Sequence, residues 1–141
     1  MSNRMKSFCL LIFFGALLFQ VQPGFSGIMD SDTESEESSN KFAVAAVGDN
    51  INSEISRNAG RAPYYLIFDE NGDFMKAIEN PALSSRGGAS RIVVDLLLNE
   101  SCKTVIAGNF GDKMINQLKA NEINYFEREG IVKDVMKTLV P

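Results

Sequence analysis

The sequence predicts an α/β domain in which a five-stranded mixed sheet carries helices on its faces, in the order βββαβαβα. Three observations predict it. A short unbroken apolar run at residues 42–47 and the largely apolar residues 104–107 have the length of strands buried on both faces. An Asn71-Gly72 pair between two strand-like runs marks a hairpin. After the hairpin, apolar residues recur three times at helical spacing, with strand-like runs between them.

Residues 42–47 (FAVAAV) form the first strand, and Gly48-Asp49-Asn50 ends it and opens a polar loop through Arg61. Residues 64–68 (YYLIF) are the second strand. Asp69-Glu70-Asn71-Gly72-Asp73 supplies the turn, and residues 74–78 return as the third. Asn80-Pro81 breaks that strand, because proline cannot donate to a ladder and restricts the residue before it. After Gly87-Gly88, Ala89, Ile92, Val93, Leu96 and Leu97 mark one face of a helix. Residues 104–107 (TVIA) are a buried strand ended by Gly108-Asn109-Phe110-Gly111. Met114, Ile115 and Leu118 mark a second helix, and residues 124–126 a short last strand. Val132, Val135, Met136 and Leu139 give a third helix its apolar stripe.

Strand–helix–strand connections are right-handed and join parallel strands. Strands one, four and five are therefore parallel, and the hairpin's middle strand runs the other way. A sheet like that of ribonuclease H satisfies these constraints. The carboxyl ends of strands one, three and four then share an edge, with the loops 48–61, 80–88 and 108–111 leaving it. Open α/β sheets bind ligands in the crevice outside that edge. The first two helices also begin there, presenting unpaired N–H groups and positive dipole ends. Gly87, Gly88, Gly108 and Gly111 would let backbone amides approach a ligand, and Arg57, Arg61, Arg86 and Arg91 flank the same loops. Such a crevice favours an anion, although the same glycines also serve simply to turn strands into helices. A phosphate loop of the Gly-x-x-x-x-Gly-Lys-Ser/Thr type is absent, because residues 108–113 (GNFGDK) have the wrong spacing.

At 141 residues, 45% hydrophobic and 23% charged, the chain is long enough for one domain and too short for two. Its net charge of −4 is unevenly spread. Of 14 basic and 18 acidic residues, two and five fall in residues 1–40, so residues 41–141 hold 12 and 13 and a net charge of −1. A domain so close to neutral suggests no nucleic-acid partner.

The N-terminal segment reads as an export signal over residues 1–26. Arg4 and Lys6 precede an apolar run at residues 8–19 (FCLLIFFGALLF), which is too short to span a bilayer. Gly24 and Ser26 stand at the −3 and −1 positions of a cleavage site, so the mature chain should begin at Gly27, in the periplasm or outside the cell. An uncleaved anchor is the alternative, and otherwise the chain meets the membrane only through this signal. Residues 27–40 include DSDTESEESSN, an acidic stretch with no aliphatic or aromatic residue, read as a disordered linker. Residues 41–141 form the domain. Cleavage removes Cys9 and leaves Cys102 without a partner for an internal disulfide.

Several segments of that domain resemble the dinitrogenase iron–molybdenum cofactor biosynthesis family, the NifX- and NafY-like domain also found at the end of some NifB proteins. They are residues 41–47 with Gly48-Asp49, Gly60-Arg61-Ala62-Pro63-Tyr64-Tyr65, Glu79-Asn80-Pro81, Gly87-Gly88-Ala89 and Ala107-Gly108-Asn109-Phe110-Gly111, in this order. The resemblance implies a ribonuclease H-like fold that binds or carries an anionic metal–sulfur cluster of molybdenum, iron or copper, or its precursor. It also implies a cluster-donor or cluster-acceptor protein as partner, and no catalysis. The motif positions and the edge loops together give the candidate cofactor contacts: Gly60, Arg61, Gly87, Gly88, Ala89, Gly108, Asn109 and Gly111 lie in the motifs, and Arg57 flanks them in the loop after strand one. The chain has no histidine, so histidine-based ligation does not carry over.

Enzymatic readings fare poorly. A ribonuclease H-type nuclease needs a metal-binding carboxylate within strand one, and residues 42–47 have none. Ser/His and Cys/His nucleophiles are excluded by the missing histidine. Cys102 begins the fourth strand, away from the glycine loops, and reads as a small packed apolar group rather than a ligand. Met75, Met114 and Met136 read as core. A cluster carrier and a module for a small anionic ligand or partner protein both remain open.

Overall fold

The computed structural model describes residues 40–141. The expected signal peptide, and the expected linker apart from Asn40, lie outside the described residues. The elements are β1 (Lys41–Ala46), β2 (Tyr64–Phe68), β3 (Phe74–Glu79), α1 (Ala89–Asn99), β4 (Cys102–Ala107), α2 (Asp112–Ala120), β5 (Asn124–Glu127) and α3 (Val132–Leu139). The sheet has the spatial order β3-β2-β1-β4-β5. β2 is antiparallel to both of its neighbours, and β1, β4 and β5 are parallel. The expected element order, and the expected strand directions, are those observed.

Alternation along the three central strands builds two cores. Ala43 and Ala45 of β1, Tyr65 and Ile67 of β2, and Val105 and Ala107 of β4 face α1 and α2, packing on Val93, Val94, Leu97, Met114 and Leu118. Val44 and Ala46, Leu66 and Phe68, and Ile106 face the other way, against Val132 and Met136 of α3. Each fully buried Val, Leu or Ile contributes roughly 1.5–3 kcal/mol. β1 needs small residues on the α1 and α2 side because two helices close over it.

Element boundaries shift by a residue or so from the sequence reading, and β1, β3 and β5 each show it. β1 ends at Ala46, and Val47 is 51% exposed. β4 starts at Cys102, as its reading at the strand start implied, and Lys41 pairs with that residue ahead of the apolar run 104–107. Residues 48–61 are more than a polar loop: they make single bridges from Ile55 to Ala46, Glu54 to Ile131 and Asn58 to Asn109, then a 3-10 turn at Ala59–Arg61. The pairings to Ile131 and Asn109 join residues far apart in sequence, so no local pattern announces them. Met75 corrects the core reading, since it is 49% exposed whereas Met114 and Met136 are buried. It lies on edge strand β3, where a register shift pairs Phe74 with Phe68 and leaves Met75 without a partner position.

The hairpin turn is held by Asp69, whose carboxylate accepts from the amides of Asn71 and Asp73, each at 2.9 Å. Gly72 adopts φ +86°, in the left-handed region that favours glycine. Among the described residues no helix is long and apolar enough to cross a membrane.

Candidate functional site

The three loops at the carboxyl edge of the sheet are joined to one another. Ser56 N–H donates to Ala45 O at 2.8 Å, and Gly108 N–H donates to Ser56 O at 2.9 Å. Ala59 N–H donates to Asn109 O at 3.1 Å. The loop after β1 is thus held against the loop after β4. Gly60 then lies between the starts of α1 and α2: a Cβ there would meet Ala89 Cβ and Met114 Cε, both at 3.5 Å.

The loop after β3 is tied in by Asn80, which is 3% exposed. Its Nδ2 donates to Ala62 O at 2.8 Å and to Gly60 O at 3.3 Å, while its Oδ1 accepts from Ala82 N–H at 2.9 Å. All these side-chain groups are satisfied, which a buried amide requires. The sequence reading took Asn80-Pro81 as a strand breaker and missed this linking role. Asparagine at the N-cap of a turn opening on proline was the available signal.

Arg61 was expected to offer its charge to a ligand. Its Nη1 instead donates to Ala82 O and Ser85 O, both at 2.9 Å, bracing the Pro81–Ser84 turn that leads into Gly87-Gly88. Arg57, Arg86 and Arg91 are exposed around the same edge.

The glycines divide into two kinds. Gly108 is a point of close packing, because a Cβ there would stand 2.8 Å from Arg57 Cα. Gly87, Gly88 and Gly111 face open space, with nothing within 4 Å of an added Cβ. Gly88 caps α1 with φ +72°, and no side chain caps the helix. The first amides of α1 consequently have neither a helical nor a side-chain partner, and its first turn holds no acidic residue. An anion is favoured there.

The start of α2 is less open to an anion than the sequence suggested. Asp112 lies in its first turn, and Glu127 Oε1 accepts from Phe110 N–H at 3.3 Å. The β4–β5 pairing brings Glu127 opposite Ala107, so this carboxylate was invisible to a reading of loop 108–111 alone.

Cys102 is 1% exposed and starts β4, at the end of the strand opposite Gly108. Burial first, and then Glu100, push its thiol up to about 12. Its sulfur is therefore protonated and shielded at neutral pH, the reverse of what a metal ligand needs. Among the described residues no group of three Cys, Asp or Glu side chains could hold a metal ion. The donors at the edge are amide N–H groups and guanidinium, which suit the rim of an anion.

No curated protein matches the chain. Several solved structures resemble it, two of them as follows. The apo form of the orange protein from Desulfovibrio gigas aligns with a TM-score of 0.66 at 21% identity, covering 71% of this chain and 86% of that one. A candidate NifB protein from Thermotoga, assigned to the DUF35 family, aligns with a TM-score of 0.61 at 25% identity, covering 71% of this chain and 86% of that one. The family model for the dinitrogenase iron–molybdenum cofactor matches residues 40–140, nearly the whole of the described chain, and the protein belongs to that family.

Proposed function

We propose that the mature chain is an exported, non-enzymatic carrier that binds an anionic metal–sulfur cluster, or a cluster precursor, as cargo at the glycine-rich edge of its sheet. One observation carries the reading. In a member of a family named for the iron–molybdenum cofactor, α1 opens on Gly87 and Gly88 with open space above both and no acid in its first turn.

The donor set points to the manner of binding. The chain has no histidine, and among the described residues the one cysteine is buried elsewhere and no three Cys, Asp or Glu side chains gather to hold a metal. Cargo would keep its own sulfide or oxide ligands and accept hydrogen bonds from backbone amides at Gly87, Gly88, Ala89 and Gly111. Arg57 would add charge, Gly60, Gly108 and Asn109 would shape the floor, and Arg61 would hold the α1 entrance in place. A helix terminus contributes roughly 0.3–1 kcal/mol toward an exposed anion, and an arginine hydrogen bond roughly 1.5–3 kcal/mol. Micromolar binding needs about −8 kcal/mol, so several of these groups must act together. The same exposure would allow hand-over to a cluster-donor or cluster-acceptor protein.

Titration of the apo-protein with tetrathiomolybdate and copper, followed by visible absorbance, tests the reading. Saturable growth of a charge-transfer band is the expected result. Absence of binding would remove the cluster-carrier function and leave a small anionic metabolite or a partner protein as occupant.

A further inference from the structure

The opposite face of the sheet holds a second feature. α3 is the one helix on that face among the described residues, and it packs over the central strands through Val132 and Met136. Between α3 and the β2–β3 hairpin lies a cleft of about 420 Å³. Its floor is apolar: Phe68, Phe74, Met136 and Val140. Phe68 is 2% exposed, while Phe74 meets it edge to face at 5.7 Å and stays 43% exposed. One aromatic ring is thus buried, and its partner is half open to solvent beside the cleft.

The walls are charged unequally. Lys133 and Lys137 both line the cleft and stand four residues apart, on one side of α3. Neither makes an ion pair; the single salt bridge among the described residues joins Lys76 and Glu100. The hairpin wall contributes Asn71, Gly72 and one acid, Asp73. Asp69 does not line the cleft, and its carboxylate is engaged by the turn amides. Two unpaired ammonium groups therefore outweigh one carboxylate at the rim of an apolar floor.

We infer that this cleft is a second binding site, for a small amphipathic monoanion whose aromatic or branched-aliphatic body lies on Phe74 and Met136 and whose carboxylate or sulfonate meets Lys133 and Lys137. The volume falls in the range of roughly 300–1,000 Å³ typical of small-molecule sites. It is well above the roughly 150 Å³ that holds a benzene-sized body, so two fused rings fit. The cleft shares no lining residue with the candidate contacts of the glycine-rich edge; its one residue from the edge loops is Ile51, whose carbonyl accepts from Lys133 N–H at 3.0 Å. An apolar body supplies most of the affinity by covering Phe74, and the two lysines select charge.

The test uses the full chain and two fluorescent probes of similar aryl body, anilinonaphthalene sulfonate with the charge and phenylnaphthylamine without it. The sulfonate should bind saturably at one site per chain, with amide shifts centred on Phe74, Lys137 and Val140. A Lys133→Glu/Lys137→Glu double variant should bind the sulfonate about tenfold more weakly, the scale of two partly exposed charge contacts, and phenylnaphthylamine nearly as before. Phe74→Ala should weaken both probes. Lys119→Glu, on α2, should change neither. Thermal unfolding measured alongside shows that each variant is folded. Failure of the wild-type chain to saturate, shifts that map elsewhere, or a double variant that binds the sulfonate as tightly as wild type would overturn the inference.

Discussion

Gly108 lies against the backbone of Arg57: a Cβ on residue 108 would stand 2.8 Å from Arg57 Cα and 3.2 Å from its carbonyl oxygen. Because Gly108 N–H also donates to Ser56 O at 2.9 Å, neither segment can withdraw without losing that pairing. Gly108→Ala should therefore destabilise the domain by about 1–3 kcal/mol, the usual cost of overpacking. Gly87→Ala, which adds its methyl to open space, should stay within about 0.5 kcal/mol of wild type. Urea unfolding of the two variants measures the difference, and equal effects would contradict the close approach.

Arg61 braces the turn before α1 through two carbonyl oxygens. Arg61→Ala should cost about 1 kcal/mol in stability, because Arg61 is exposed and Ala82 O keeps its bonds from Ser85. Cargo binding should weaken as well, through the misplaced Gly87-Gly88 segment. Arg61→Lys should restore part of both, since the two bonds leave the single nitrogen Nη1 and an ammonium also carries several donors, though on a differently shaped stem. Chemical denaturation read beside thiomolybdate titration separates the two effects.

At the edge itself, Gly87→Val and Gly111→Val should each place a branched side chain into open space and reduce thiomolybdate affinity by about tenfold or more, one lost charge-assisted contact being worth roughly 1.5–3 kcal/mol. Thermal midpoints should hold near the wild-type value. Gly88→Val is the poorer probe, because its φ of +72° would add strain of about 1–2 kcal/mol and confuse obstruction with unfolding. Unchanged binding in both clean variants would move the cargo away from this edge.

Cys102 carries a pH signature. Its thiol is pushed up to about 12 in the folded chain from an ordinary value of 9.0. Between those pH values the unfolded chain releases a proton that the native chain retains. Folding stability contributed by the protonated thiol is thus complete below pH 9 and declines as pH rises toward 12, by at most about 1.4 kcal/mol per pH unit. Cys102→Ala should lose about 1 kcal/mol at neutral pH and show a shallower alkaline decline than wild type. It should keep any bound chromophore, and loss of the chromophore from a folded variant would make Cys102 a ligand.

Export is tested at the N-terminus. Protein recovered from the cell envelope should yield an N-terminal sequence starting at or near Gly27. A chain starting at residue 1 or 2 in the cytosol would remove the exported part of the proposed role.

The local sequence by itself determined the strands and helices. β2 and the stripe of α3 follow from runs and periodicities within ten residues, and right-handed connections then left one set of strand directions. Burial of Cys102 was equally legible, from its position at the foot of a central strand. Only the tertiary structure decided how the edge is built. Asn80 links two loops eighteen residues apart, Arg61 turns inward to Ala82 and Ser85, and Glu127 reaches the Phe110 amide from a neighbouring strand. Met75 was misread for the same reason, because a register shift between two strands, not the pattern of one, sets its exposure. Hydrophobic periodicity records which face of an element is buried. Hydrogen bonds between loops depend on the distance at which the finished sheet holds them, and no single segment encodes that distance.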